Sequence, residues 1–256
     1  MNEVAIPAAA IAAPQRRWLI PLALLSVYVI WGSTYLGIRI GLTGFPPFML
    51  AAIRFFAAGI AMYAWLRLRG VKPPTRRQWR NAAITGVLLL LLGNGMVCFA
   101  EQSVTSGIAA IAIASEPLFI ALFLVAYRER PSRGEIVGLA IGFVGVVVLN
   151  SGGAMRAAPW AAGALLLATI AWAFGSIWSR HQDMPEGSMN VAAQMLCAAP
   201  ALALTAWLTG ERLPAHPPAA SILAIAYLAV FGSIIAFSAY LFLVKHARPT
   251  LTASYA

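Results

Sequence analysis

The sequence predicts an all-α, polytopic membrane helix bundle, and three observations predict it. Of the 256 residues, 61% are hydrophobic and only 10% are charged, where a soluble domain carries about a quarter charged residues. The apolar residues come in runs of about 20, the length that crosses a hydrocarbon core about 30 Å thick. The Lys and Arg residues fall mostly between those runs. A mean hydropathy of +0.81 agrees. With only eight carboxylates, the chain cannot clothe a soluble core of this size, so its solvent is lipid.

In chain order, residues 1–17 read as a loose cytoplasmic tail, because Glu3 precedes the Ala-rich stretch and no basic segment opens it as in a signal peptide. Eight complete spans are expected near 18–40, 46–66, 81–103, 107–127, 135–151, 160–179, 189–209 and 219–244, with a ninth opening at Pro249. Short connections make consecutive helices antiparallel neighbours. Trp18, Trp65, Trp79, Trp160 and Trp207 stand near span ends, where amphipathic rings sit at the headgroup level.

The basic residues divide sharply by side. With the N-terminus inside, one side receives fourteen of the eighteen, most densely Arg67, Arg69, Lys72, Arg76, Arg77 and Arg80, and the other receives Arg39, Arg156 and Arg212. Arg54 falls within a span. Such a split predicts a cytoplasmic N-terminus. The net charge of +10 belongs to these loops; no basic stripe with interleaved aromatics exists, so nucleic acid is not the partner. The partners expected are the lipid bilayer and a small-molecule substrate. Cys98 and Cys197 lie inside apolar runs without metal-ligand spacing. His181, His216 and His246 lie in or beside loops and build no catalytic set, and no phosphate-binding Gly-rich motif is present. An enzyme is not expected, and neither a cofactor nor a metal is implied.

A weak internal repeat runs through the chain. Trp31 precedes Arg39 by eight residues in WGSTYLGIR, and Trp172 precedes Arg180 by eight in WAFGSIWSR, an offset of 141. Five spans lie between the two starts, so the second copy enters the membrane from the opposite side, as in inverted-repeat transporters.

Further motifs carry a family resemblance. WGSTYLGIRIGL from Trp31, Arg54, GNGM at 93–96, SGIAAIAIASEPLF at 106–119, NSGG at 150–153, WAFGS at 172–176 and YLAVFGSIIAFSAY at 227–240 together resemble the EamA family of the drug/metabolite transporter superfamily, in its YedA-like branch of exporters. The resemblance covers nearly the whole chain from Trp18. It implies ten helices in two inverted five-helix repeats, here 18–151 and 160–256, with about eight helices complete and a family member continuing past Ala256. It also implies a secondary exporter of amino acids or drug-like solutes in a bacterial inner membrane, proton-coupled and working by alternating access.

Within this frame a few residues are candidates for chemistry. Arg54 lies inside a span, where a cation is expensive and must face the bundle. Two readings stand: attraction of a substrate carboxylate, or an ion pair with Glu101 or Glu116. Glu116, followed by Pro117 near the middle of its span, is the proton-coupling candidate. The alternatives are neutralisation by Arg54 or a permanently protonated donor. Trp31 and Trp172 are mid-span and related by the repeat; they suit a pocket for a flat or amphipathic solute, or else helix packing. Tyr35, Asn94 and Ser176 are further pocket-wall candidates for substrate binding. Gly93-Asn94-Gly95 interrupts an apolar run, as a hinge or as a close helix contact.

Overall fold

The computed structural model describes residues 18–127 and 158–255, together with helical turns within 136–145. The span expected at 135–151 lies largely outside the described residues. Among those described, seven helices are long and apolar enough to cross a membrane: α1 (Leu19–Gly41), α2 (Pro47–Leu68), α3 (Arg76–Ala100), α4 (Ser106–Ala126), α5 (Pro159–Arg180), α6 (Gly187–Leu208) and α7 (Ala219–His246). A short α8 (Pro249–Thr252) and a 3₁₀ turn, Ala253–Tyr255, open the next segment. No strand occurs among the described residues.

Local chemistry sets the helix ends. α2 starts at Pro47, where proline's missing donor and fixed φ suit the first turn. Its free Phe48 and Met49 amides donate to the Glu211 carboxylate at 3.2 and 2.8 Å. That side chain lies far along the chain, between α6 and α7, so a helix-dipole contact pins a loop to the start of α2. α3 begins at Arg76, five residues before the position expected from hydropathy. Thr75 and Gln78 form a reciprocal capping box there, which stabilises a polar first turn that hydropathy does not register. Gln78 and Asn81 then donate to the Asp183 side chain and backbone at 3.1 and 3.0 Å, docking this turn on the α5–α6 loop.

Three membrane helices are not regular. α4 breaks at Ala114–Ser115 just before Glu116, where Pro117 has no amide to continue the ladder. α3 and α7 each contain a π-helical stretch, Val87–Gly95 and Leu228–Ile235. The interruption expected at Gly93-Asn94-Gly95 is a π stretch, and Gly93 is a close helix contact, since a Cβ there would stand 2.6 Å from Trp172 Cε3. The two starts, 87 and 228, are again 141 residues apart. The Ser233 hydroxyl donates to the Leu228 carbonyl, five residues back, at 3.0 Å, so a side chain occupies one of the carbonyls that the wider turn frees.

α2 and α6 make the most extensive helix pair, α3 packs on both α5 and α6, and α1 packs on α7. Small residues allow this closeness. A Cβ at Gly86 would stand 2.6 Å from the Gln194 carbonyl, and one at Gly59 would stand 3.2 Å from the Leu196 amide. Lipid-exposed bundles associate through such backbone approaches, since apolar burial gives helices no preference for each other over lipid. The outward faces carry exposed Leu25, Val29, Phe56, Leu166, Leu204 and Leu223. Trp18, Trp65, Trp160 and Trp207 are also about half exposed or more. Trp31 and Trp172 face inward against the core.

Candidate functional site

The inward faces enclose a cavity of about 170 Å³ at the middle depth of the bundle. Six of the seven residues singled out from the sequence line it: Trp31 and Tyr35 from α1, Arg54 from α2, Asn94 from α3, Glu116 from α4 and Trp172 from α5. Ser176 does not line this cavity. One turn beyond Trp172, its hydroxyl donates to the Trp172 carbonyl at 2.7 Å and pairs with the Tyr240 hydroxyl at 2.5 Å. It acts behind the wall rather than on it.

One side of the cavity is aromatic. The Trp31 and Trp172 rings meet edge to face with centroids 5.4 Å apart, a geometry that the ring quadrupoles favour. Tyr240 lies 5.0 Å from Trp31 and 5.5 Å from Trp172, and Tyr255 lies 4.9 Å from Trp31. Phe237 completes the group, 6.3 Å from Trp172. Hydrogen bonds hold both indoles: Trp31 Nε1 donates to the Gly232 carbonyl in the π stretch of α7 at 3.0 Å, and Trp172 Nε1 donates to Tyr240 at 2.9 Å. Trp172 in turn lies against the π stretch of α3, since a Cβ at Gly93 would stand 2.6 Å from its Cε3. Each mid-span tryptophan therefore rests on an irregular turn.

Arg54, 2% exposed, lines the same cavity; its guanidinium borders Gly232, whose carbonyl holds Trp31. Its Nε donates to Ser233 at 2.7 Å and its Nη1 to Asn94 Oδ1 at 3.4 Å. The guanidinium also lies 4.7 Å from the Phe55 ring centroid. The ion pair with Glu101 or Glu116 raised from the sequence is absent: neither Glu101 oxygen has a hydrogen-bond partner, and Glu116 Oε2 instead accepts from the Tyr255 hydroxyl at 2.7 Å. The reason is placement. Glu101 is in the turn beyond α3, and the kink in α4 turns Glu116 toward the start of the segment after α7. Among the described residues, Arg54 is a buried cation held by neutral groups and facing a cavity.

Glu116 is 1% exposed, and its Oε1 has no partner. Thr34 and Thr169 add hydroxyls to the lining. Sequence reasoning missed Phe237, Tyr240 and Tyr255. The first two lie in YLAVFGSIIAFSAY, which was read for its resemblance alone, and nothing local marks Tyr255 as a partner of Glu116.

A second set of contacts occurs twice. Arg39 Nη1, near the end of α1, donates to the Glu101 and Val104 carbonyls beyond α3 at 2.5 and 3.4 Å. Arg180 Nη1, at the end of α5, donates to the Val244 and Ala247 carbonyls at the end of α7 at 2.9 and 3.2 Å. In both places a terminal arginine bonds carbonyls at or just beyond the end of the helix two further along the chain.

Comparison with known proteins agrees with this architecture. The model of the EamA-like transporter family matches twice, over residues 18–151 and 159–256. The uncharacterized inner membrane transporter YedA of Escherichia coli K12 is 47% identical over 243 residues, covering 94% of this chain and 79% of the relative. A probable amino-acid metabolite efflux pump of the same organism is 26% identical over 84% of this chain and 74% of its own. One solved crystal structure, 24% identical, superposes over 93% of this chain and 84% of its own with a TM-score of 0.72, a likeness of fold. With its multi-pass helical bundle and two family matches, the chain belongs to the EamA-like transporter family, and it is a transporter rather than an enzyme.

Proposed function

We propose that the central cavity is the substrate site of a secondary active exporter of the bacterial inner membrane, with its N-terminus cytoplasmic. The observation that carries this reading is Arg54, a fully buried guanidinium with no carboxylate partner among the described residues, lining a cavity that also has an aromatic wall. Membrane-buried cations mark ligand or ion pathways when nothing neutralises them. A small metabolite with an anionic group on Arg54 and an apolar or aromatic part against Trp31 and Trp172 fits that polarity; Tyr35 and Asn94 flank it. Amino-acid metabolites are the substrate class that the efflux-pump relative supports, and drug-like solutes stay within the proposal on the polarity of the cavity alone.

Glu116 is the group we assign to proton coupling. It lines the same cavity, is buried, and keeps one oxygen unpaired. A carboxyl there can take up a proton and return it as access alternates, whereas a surface carboxylate stays ionised. Alternating access rests on two inverted repeats moving against each other. The doubled family match, the 141-residue offset of the π stretches and the paired roles of Arg39 and Arg180 support that arrangement.

The test is efflux of a labelled amino-acid mixture from proteoliposomes under an imposed pH gradient. Transport is expected to collapse with a protonophore and in Glu116→Gln, and substrate binding to weaken in Arg54→Ala and Trp172→Ala. Efflux indifferent to the protonophore would exclude proton coupling and favour a passive carrier.

A further inference from the structure

Beyond the cavity, away from the basic 67–80 loop, lies a second buried carboxyl. Tyr35 and Val97 line the cavity, and one helical turn beyond them stand Arg39 and Glu101. Residues four apart share a helix face, so Glu101, which is buried, and Arg39, which is exposed, stand one turn beyond the cavity at this end. Glu101 is 0% exposed, and neither carboxyl oxygen has a hydrogen-bond partner. Such a group is unusual, because buried polar atoms are nearly always bonded. The Arg39 guanidinium stands beside it yet bonds the Glu101 and Val104 backbone carbonyls.

We propose that Glu101 is a second proton-binding site, one turn beyond the cavity on the side away from the basic loops, and that Arg39 is the cation it pairs with once ionised. Its place in a transport cycle rests on the proton-coupled reading above; the binding of the proton does not. An unpartnered, desolvated carboxyl is stable only when protonated, while an ionised one demands a cation. Rotation of the Arg39 side chain supplies that cation and at the same time releases the Glu101 and Val104 carbonyls. Proton loss at Glu101 thereby loosens the junction of α1 with the α3–α4 turn. In that turn, beyond the end of α3, burial pushes the Glu101 carboxyl up to about 8, with Arg39 pulling the other way.

The other groups around it are accounted for among the described residues. Tyr35 of α1 and Cys98 of α3 lie within electrostatic reach of it. Glu211, at the same end, is held by the Phe48 and Met49 amides. The first turns of α5, Pro159–Leu167, carry no titratable side chain.

The experiment is infrared difference spectroscopy of the purified full chain in a lipid bilayer, titrated through pH 8, after size-exclusion confirms folding. The expected result is loss of a protonated-carboxyl band that persists in Glu116→Gln and is missing from Glu101→Gln. In Arg39→Gln, which leaves Glu101 in place, the midpoint is expected to move upward. A titration in Glu101→Gln identical to the unsubstituted chain overturns the proton site; an unmoved midpoint in Arg39→Gln overturns the pairing. Neither result depends on transport, so protonophore-insensitive efflux would strike the proposed coupling alone.

Discussion

Arg54 was expected to face the bundle and does, and Glu116 is buried with it. That much follows from the expense of a charge in lipid. Their partners could not be read the same way, because partner choice depends on side-chain reach and helix rotation. Arg54 took Ser233, 179 residues away, and Glu116 took Tyr255, 139 residues away. Ser176 shows the converse: a polar residue near a predicted pocket whose hydroxyl is spent on its own helix and on Tyr240. Two predictions belong at this scale. Arg54→Lys keeps the charge but not the guanidinium fork, so an anionic substrate should bind at least about 10-fold more weakly, and Arg54→Ala should weaken it by about 2 kcal/mol or more; isothermal titration measures both. Trp31→Phe removes the bond to the Gly232 carbonyl, so unfolding in denaturant should shift by about 1 kcal/mol. An unshifted transition would mean that the carbonyl finds another donor.

At the level of elements, hydropathy located every described span to within a few residues. It erred where polar chemistry decided, as at the Thr75–Gln78 capping box. The glycine-flanked interruption at 93–95 was visible in sequence, whereas its counterpart around Gly232 was not, because Leu228–Ile235 is apolar but for Gly232 and Ser233. In α7 the carbonyls of the π stretch accept from Ser233, a local bond, and from Trp31, a tertiary one that no sequence window contains. Trp31 and Trp172 thus each rest on one of the two π stretches. Gly93→Ala tests this directly. Its Cβ would meet Trp172 at 2.6 Å, and Tyr240 anchors that indole, so overpacking of about 1–3 kcal/mol is expected. Thermal unfolding followed by tryptophan fluorescence should fall accordingly, and an unchanged midpoint would show that the ring moves freely.

Across the whole molecule, composition and charge segregation made the membrane bundle legible without any motif. In the sequence the proposed repeat rests on two nine-residue matches; the features that support the proposal further are ones that no sequence window contains. Two arginines cap carbonyls two helices further along, and two tryptophans lie on irregular turns. The fourteen-to-three division of basic residues also makes a topological prediction. A cysteine placed in the 67–80 loop of a Cys98→Ala/Cys197→Ala background should resist impermeant maleimide in intact cells and react in inside-out vesicles. Labelling in intact cells would reverse the orientation.

The central claim is that the cavity is where substrate binds, and efflux in proteoliposomes with Arg54→Ala beside the unsubstituted chain tests it most directly. The account predicts proton-gradient-driven efflux of the labelled amino-acid mixture by the unsubstituted chain. It predicts loss of most of that efflux in Arg54→Ala, with the variant still folded and inserted. Efflux by folded Arg54→Ala at the unsubstituted rate would contradict it.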